Sequence, residues 1–166
     1  MQKKIFGITG GSGVGKSYVS DLFKQTPNTH IINVDKLGHT VLENEAKKEI
    51  LDHFGTTNRK ELGKIVFSDP VQLQKLNKIT HKHITQKVYT EVSAKQNSAI
   101  IVIDAAVLVD LNLHLICDIV ILVKATKATR IKRIMQRDNI TKDQAKKRIA
   151  SQNIFVPQAD IVIYNG

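Results

Sequence analysis

The sequence is poor in cysteine and in aromatic residues, and it lacks long apolar runs. A single cysteine, Cys117, excludes an internal disulfide or a thiolate metal cluster and is typical of a reducing compartment. No apolar run approaches the roughly 18–20 residues that cross a bilayer. Glycines interrupt the first apolar run too early for a signal peptide. We therefore expect a cytoplasmic protein without a membrane partner.

The composition that remains is that of one compact globule. The chain has 166 residues, with 42% apolar and 24% charged residues, which excludes disorder and collagen-like repeats. Lys and Arg number 25 against 15 Asp and Glu, a net charge of +10, so its partners are expected to be anionic. Tryptophan is absent and no nucleic-acid-reading motif occurs, which favours phosphorylated small molecules over nucleic acid. Nothing in the sequence specifies an oligomeric state.

Short apolar runs alternate with helical patterns along much of the chain. The runs are rich in Ile and Val without polar alternation, as expected for strands covered on both faces. They lie at residues 5–9, 30–34, 100–103, 119–123 and 161–164. The alternation predicts βαβ units, and therefore an α/β fold with a parallel sheet of about five strands. A first helix is expected from residue 16 to near Pro27.

The middle third, residues 36–96, has almost no strand signal and predicts a helical subdomain. Ser68 is a candidate N-cap, with Pro70 in the first turn that follows. The next helix carries an apolar stripe at four-residue spacing: Ile84, Val88 and Val92.

A basic segment near the C-terminus predicts a short lid. Thr141 and Gln144 form a T-x-x-Q capping box that opens an exposed, mobile helix ending near residue 151. Three arginines precede it at spacings of three and four on one helix face: Arg130, Arg133 and Arg137. They are either a solvated basic face or part of a lid that closes over a nucleotide.

Residues 10–17 match the phosphate-binding pattern G-x-x-x-x-G-K-[ST] directly after a predicted strand and before a helix. The segment is Gly10, Gly11, Ser12, Gly13, Val14, Gly15, Lys16 and Ser17. Glycines let backbone N–H groups converge on phosphate oxygens, and the helix N-terminus favours the same anion. Lys16 would reach the β- and γ-phosphates and Ser17 would bind Mg²⁺. The motif predicts a site for a nucleoside triphosphate.

Two carboxylates follow predicted strands. Asp104 is either a second Mg²⁺ ligand or a strand-end residue satisfied by local backbone. Asp35 is either the group that takes a proton from an attacking hydroxyl or an ordinary helix N-cap. Guanine-reading signatures are missing, which excludes a GTPase.

Together these segments resemble the dephospho-CoA kinase family over nearly the whole chain. The opening "FGITGGSGVGKSYVSDLF" is similar to the family's first strand, loop and helix, and "IINVDKLGHTVL" to its VIDADxIAR segment. "NRKELGKIVFSDPVQLQKLNKITHKHI" resembles its helical acceptor-binding part, and "IDAAVLVDL" its DxPLLFE stretch. "CDIVILV" and "RIKRIMQRDNITKDQAKKRIASQ" resemble its strand-plus-lid signature.

The resemblance implies a three-layer P-loop kinase that phosphorylates the ribose 3′-hydroxyl of dephospho-CoA with ATP and Mg²⁺, giving CoA. It implies that Asp35 is the catalytic base, with Lys16 on the transferred phosphoryl. It also implies that Arg137 and Arg148, in the lid, contact phosphate groups and that Tyr18 lies beside the ATP-binding loop. The residues implied in substrate binding are Arg59, His81 and Asp104. A core of residues 1–35, 97–136 and 152–166 would carry a helical acceptor subdomain at 36–96 and a lid at 137–151.

The sequence departs from the family pattern at Tyr18, Asn33, Lys82, Ala106 and Asp110. Family members also usually continue into a further helix, so the sequence is expected to be either a minimal or an incomplete member. Two other functions stay open: a kinase for a nucleoside, nucleotide or other small metabolite, and a nucleotide-dependent nucleic-acid-binding protein.

Overall fold

The computed structural model describes residues 3–95, 97–152, 154, 156 and 159–166. The chain divides into two compact units, one formed by Met1–Asn33 and Lys95–Gly166 and the other by Val34–Ala94. The predicted core and subdomain segments include residues outside the described ones, namely Met1, Gln2, Gln96, Asn153, Phe155, Pro157 and Gln158.

A parallel sheet forms the centre of the first unit. Its strands, in chain order, are β1 (Lys4–Thr9), β2 (Thr29–Asn33), β3 (Ile100–Asp104), β4 (Ile119–Lys124) and β5 (Ile161–Tyr164). They lie side by side in the order β2-β3-β1-β4-β5, and all paired strands are parallel. The α/β fold with five parallel strands is therefore confirmed among the described residues.

Three helices belong to this sheet unit: α1 (Lys16–Phe23), α6 (Lys127–Asp138) and α7 (Lys142–Ala150). The second unit holds four: α2 (Val34–Glu43), α3 (Lys47–Phe54), α4 (Arg59–Ser68) and α5 (Pro70–Ala94). These counts refer to the part of the chain that the structure describes. A short 3₁₀ turn at Leu113–Ile116 precedes β4.

Continuous apolar runs form the sheet core because both faces of the central strands are covered. Ile101, Val102 and Ile103 of β3 are fully buried, and Ile8 of β1 is as well. The strand pattern thus predicted the sheet core, since burial removes the need for polar alternation.

Thr126 caps α6 by accepting a hydrogen bond from the Thr129 N–H.

The capping box at the start of α7 is confirmed. The Thr141 side chain accepts from the Gln144 N–H, and the Gln144 side chain accepts from the Thr141 N–H. Ala145 is fully buried and Ile149 half-buried against Ile131 and Ile134 of α6. The narrow apolar edge of this charged helix therefore packs on α6, and its other sides are exposed.

Two helix boundaries differ from those predicted. The first helix ends at Phe23, and Lys24, Gln25 and Thr26 continue with i→i−3 hydrogen bonds, because Pro27 disfavours α-helical geometry in the residue before it. Ser68 ends α4 and is not an N-cap. The carboxylate of Asp69 accepts from the N–H groups of Val71 and Gln72 instead.

The second unit is built around α5, whose buried residues recur along one face: Thr80, Ile84, Val88 and Val92. Asn58 caps α4 by accepting from the N–H groups of Lys60 and Glu61. Val41 of α2 and Ile50 of α3 are also fully buried, so this unit has an apolar core of its own. No helix in the described ranges is long and apolar enough to cross a membrane.

Candidate active site

The glycine-rich loop connects β1 to α1 and takes a conformation that requires glycine. Gly13 has φ 79° and Gly15 has φ 90°, both in the left-handed region that side chains disfavour. A Cβ on Gly13 would lie 2.7 Å from the Arg130 carbonyl oxygen, and one on Gly15 would overlap the side-chain amide of Asn165. Conformation and space therefore both explain the glycines at these two positions.

The loop ends at the N-terminus of α1, where backbone N–H groups have no partner within the helix. Gly15 is the N-cap residue without a side-chain cap, and the first turn of α1 contains no acidic residue. The orphan N–H groups and the positive end of the helix dipole are thus not neutralised by a carboxylate of the same turn. Lys16 is half-buried and Ser17 is exposed at this end of the helix. Unpaired N–H groups, the positive end of a helix dipole and a lysine are the features with which a helix N-terminus can hold a phosphate.

Two arginines of α6 donate hydrogen bonds to backbone carbonyls of the loop. Arg130 Nε donates to the Ser12 carbonyl oxygen at 2.9 Å. Arg133 Nη1 donates to the Val14 carbonyl at 3.2 Å and to the Asn165 carbonyl at 3.0 Å. Burial lowers the pKa of Arg130 from its usual value. In this structure both guanidinium groups therefore contact the backbone of the loop region, an arrangement that differs from a solvated basic face.

The predicted lid arginines lie elsewhere. Arg137 donates from Nε and Nη2 to the two carboxylate oxygens of Asp138, at 2.8 and 2.9 Å. Arg148, from α7, also donates to Asp138. The hydrogen bond from Arg137, together with the charges of both arginines, holds the pKa of Asp138 below its usual range. The structure thus brings Arg137 and Arg148 together on one carboxylate at the α6–α7 end of the unit.

Asp104 ends β3 and is almost completely buried. Its Oδ2 accepts a hydrogen bond from the hydroxyl of Ser20 at 2.7 Å. Ser20 lies in α1, three residues after Ser17, so the two hydroxyls share one side of that helix. One partner of the buried carboxylate is therefore the helix that follows the phosphate loop.

The oxygen groups near the loop fit a magnesium ion. Mg²⁺ prefers oxygen ligands, keeps several waters, and is bound by one or two carboxylates together with substrate phosphates. Ser17 carries a hydroxyl at the start of α1, and Asp104 carries a carboxylate that bonds to Ser20 of the same helix, so both are oxygen groups of this kind. Among the described residues no cluster of three or more His, Cys, Asp or Glu occurs, and a site of this kind does not need one.

Tyr18 lies exposed in α1, whereas three other predicted site residues belong to the helical unit. Asp35 is exposed in the first turn of α2, as its second residue, so it is not the N-cap. Arg59 opens α4 and forms an ion pair with Glu43, with Nη2 to Oε1 at 3.4 Å. His81 is half-buried on α5, next to the buried Thr80.

Lys82, which departs from the family pattern, has a structural partner. Its Nζ lies 2.6 Å from Oε2 of Glu49 in α3, and His83 Nε2 lies 2.9 Å from the other oxygen of the same carboxylate. The hydrogen bond from Lys82, followed by that of His83, lowers the pKa of Glu49. The substitution therefore joins α5 to α3 within the helical unit.

A cavity of about 380 Å³ lies beside the phosphate loop. It is bordered by Gly11, Val14, Arg130, Lys124 and Tyr164 among other residues. The end of β4 and the start of α6 form its wall, so open space adjoins the loop on this side.

Sequence reasoning missed Gln152 and Asn165, which contact the loop, and Ser20, which binds Asp104. Asn165 Nδ2 donates to the Val14 carbonyl at 3.0 Å. Gln152 bonds to Ser12. The spacing of residues along the sequence does not predict such contacts. The one available signal is that Gln152 is the last residue of the RIASQ segment, which resembles the family pattern.

The sequence and the fold are similar to those of known proteins. The sequence profile of the dephospho-CoA kinase family matches residues 4–166. A dephospho-CoA kinase of Lactobacillus acidophilus is 36% identical, with 97% of this chain and 88% of that protein covered. The structure of dephospho-CoA kinase from Campylobacter jejuni superposes with a TM-score of 0.61 at 26% identity, covering 99% of this chain and 89% of that one. A Thermus thermophilus protein with a TM-score of 0.84 and 24% identity, covering 100% and 90%, shares the fold.

Proposed function

This chain belongs to the dephospho-CoA kinase family, and from that premise we propose how its residues divide the reaction among them. The activity is the ATP-dependent phosphorylation of dephospho-CoA in coenzyme A biosynthesis. The protein is thus a transferase that uses ATP as phosphoryl donor. We propose that the acceptor group is the 3′-hydroxyl of the ribose, the position named by the resemblance.

ATP binds at the phosphate loop in this proposal. Backbone N–H groups of residues 10–17, apart from that of Ser12, which donates to Gln152, surround the β- and γ-phosphates. Lys16 compensates the phosphate charge, and Tyr18 borders the site. The observation that carries the assignment is the loop itself. Its glycines with left-handed backbone conformation precede a helix, and the first turn of that helix contains no carboxylate that would compete with phosphate.

Ser17 and Asp104 are the residues that would hold Mg²⁺. A bound magnesium ion neutralises charge on the phosphate oxygens. The hydroxyl of Ser20 fixes one oxygen of Asp104, which orients the carboxylate toward the α1 side of the sheet. Asp104 therefore lies within the nucleotide site in this proposal and contributes to substrate binding there.

The helical unit supplies the acceptor side. Asp35, at the start of α2, takes the proton of the attacking hydroxyl as general base. Arg59 and His81 bind the acceptor, whose phosphates suit the net charge of +10. The subdomain boundaries proposed for this role are residues 36–96, with a core of 1–35, 97–136 and 152–166.

The lid, residues 137–151, contributes Arg137 and Arg148. Guanidinium groups stabilise the charge that spreads over the transferred phosphoryl oxygens. In the structure both arginines bind Asp138. We propose that they exchange this carboxylate for phosphate oxygens when ATP is bound. We also propose that the protein acts in the cytoplasm on small molecules, without nucleic-acid or membrane partners.

The decisive experiment measures ADP release from Mg²⁺-ATP with and without dephospho-CoA, and identifies the product by mass. We expect ADP release to depend on the acceptor and CoA to appear in equal amount. Lys16→Ala is the control, because it should lose phosphate binding and turnover together, whereas a contaminating kinase would be unaffected.

The same assay with a panel of nucleosides and nucleotides tests the alternative acceptors. Turnover with a nucleoside but none with dephospho-CoA would contradict the proposal. Steeply salt-dependent binding of oligonucleotides with DNA-stimulated ATP hydrolysis would favour the nucleic-acid-binding alternative.

A further inference from the structure

A single glutamine, the first residue after the lid, is hydrogen-bonded to the phosphate loop. Gln152 follows α7, and its Oε1 accepts a hydrogen bond from the Ser12 backbone N–H at 2.8 Å. Its Nε2 donates to the Ser12 hydroxyl at 2.8 Å. Arg130 Nη2 donates to the same Oε1 at 3.2 Å. One carboxamide therefore binds the backbone and the side chain of Ser12 and the guanidinium that holds the loop.

The chemistry of the partners determines the orientation of this carboxamide. The Ser12 N–H and the Arg130 guanidinium can only donate hydrogen bonds, so the atom they share has to be the oxygen. The amide nitrogen is then left to face the Ser12 hydroxyl, which can accept. A leucine or methionine at position 152 has the size to occupy this place but could make none of these bonds.

Ser12 lies between two glycines, where the backbone has the most freedom to move. Arg130 Nε binds the Ser12 carbonyl at 2.9 Å while Gln152 binds the N–H. Both polar groups of the residue's backbone are thus held by side chains, one from α6 and one from the residue that follows the lid. Gly11 is part of the same contact, because a Cβ there would lie 3.2 Å from the Gln152 Oε1 and closer still to Arg130.

We propose that Gln152 is a positioning residue for the phosphate loop. Its carboxamide fixes Ser12 before the nucleotide arrives, so that binding does not have to order this part of the loop. The same bonds tie the loop to the end of α7, the helix that carries Arg148. The inference rests on the proposed role of the loop in binding ATP, and it adds a residue that the phosphate-binding pattern does not contain.

The test replaces Gln152 by methionine, which keeps the length of the side chain and removes its hydrogen bonds. We expect the Kd for ADP, measured by calorimetry without an acceptor, to rise about tenfold, the equivalent of ~1.4 kcal/mol. The KM for ATP should rise by a similar factor, whereas kcat and the KM for dephospho-CoA change less than about threefold. Gln136→Met is the matched control, since Gln136 is exposed on α6.

A double-mutant cycle with Ser12→Ala identifies the partner. If Gln152 acts through Ser12, the hydroxyl contributes to affinity only while the carboxamide is present, so the two substitutions are not additive. The thermal midpoint of the nucleotide-free Gln152→Met protein should fall by only a few degrees, with a single cooperative transition retained. This separates positioning from a general loss of structure.

Three results would overturn the proposal. An unchanged ADP affinity would mean that the bonds to Ser12 do not matter for binding. A higher affinity would mean that the carboxamide competes with phosphate for the Ser12 N–H. A fall in kcat with no change in ADP binding would place Gln152 in the chemical step. ADP binding requires no acceptor, so these results are independent of whether dephospho-CoA is the substrate.

Discussion

Replacing Arg133 by methionine tests whether the arginines of α6 support the loop or contact the phosphoryl group. Arg133 Nη1 lies 3.0 Å from the Asn165 carbonyl, 3.2 Å from that of Val14 and 3.4 Å from that of Gly13. Methionine retains the aliphatic stem of the side chain and removes all three contacts. Arg137→Met is the matched control, because Arg137 lies one turn further along the same helix and pairs with Asp138.

The expected loss of stability follows from these contacts. A hydrogen bond from a charged donor contributes about 1.5–3 kcal/mol. The three carbonyls share one nitrogen, so their contributions do not add, and the Val14 carbonyl keeps its bond from Asn165. We therefore expect Arg133→Met to lower the free energy of unfolding by about 1.5–3 kcal/mol in total. In a chain of this length, that corresponds to a midpoint about 3–12 °C lower.

Arg137→Met should behave in the opposite way. An exposed ion pair contributes about 0–1 kcal/mol, so the thermal midpoint should hardly move. Turnover should fall instead, because the proposed contact with the transferred phosphoryl is lost. The assay combines thermal unfolding of the nucleotide-free proteins, followed by circular dichroism, with kcat at saturating substrates. If Arg133→Met unfolds with the wild type but loses kcat, Arg133 contacts the phosphoryl group and the reasoning is refuted.

Three further predictions concern single groups. Asp35→Asn should keep the affinity for ATP but lower kcat by about 10²–10⁴, as for a general base, and near-normal turnover would reassign Asp35 to positioning. Asp104→Asn should raise the Mg²⁺ concentration needed for half-maximal activity by about tenfold, whereas an unchanged magnesium titration would make Asp104 purely structural. Burial raises the pKa of Cys117 from 9.0 to about 12, so this thiol should resist alkylation in the folded protein at pH 8. Because the unfolded thiol loses its proton first, the free energy of unfolding should fall as pH rises from about 9 toward 12, and a Cys117→Ser variant should lose this part of the pH dependence.

Local patterns predicted the elements well where the signal lies within a few residues. The five strands were placed within about one residue at each end, because buried parallel strands leave runs of Ile and Val. The capping box of Thr141 and Gln144 was also identified, since both partners lie in one turn. The cap near α5 was assigned to Ser68 although Asp69 makes it. Neighbouring polar residues are all suitable caps, and only the backbone geometry selects one of them.

The same limit applies to the arginines. The spacing of Arg130, Arg133 and Arg137 placed them on one helix face, but two bind the backbone of the loop region and one binds Asp138. A guanidinium group binds a carbonyl, a carboxylate or a phosphate with similar geometry. The partner of each arginine depends on which groups the fold places beside that helix face. Helical periodicity does not predict those groups.

The sequence by itself determined the phosphate loop, the parallel sheet and the family. Each of them is recognised from contiguous residues or from a regular spacing of apolar residues. The tertiary structure alone decided what holds the site in place. Ser12 and Arg130 are 118 residues apart, Ser12 and Gln152 are 140 apart, and Ser20 and Asp104 are 84 apart. Contacts between segments so distant along the chain leave no local pattern, since the sheet order β2-β3-β1-β4-β5 brings them together only after folding. The chemistry of the loop is therefore local in the sequence, whereas its support comes from side chains beyond residue 120.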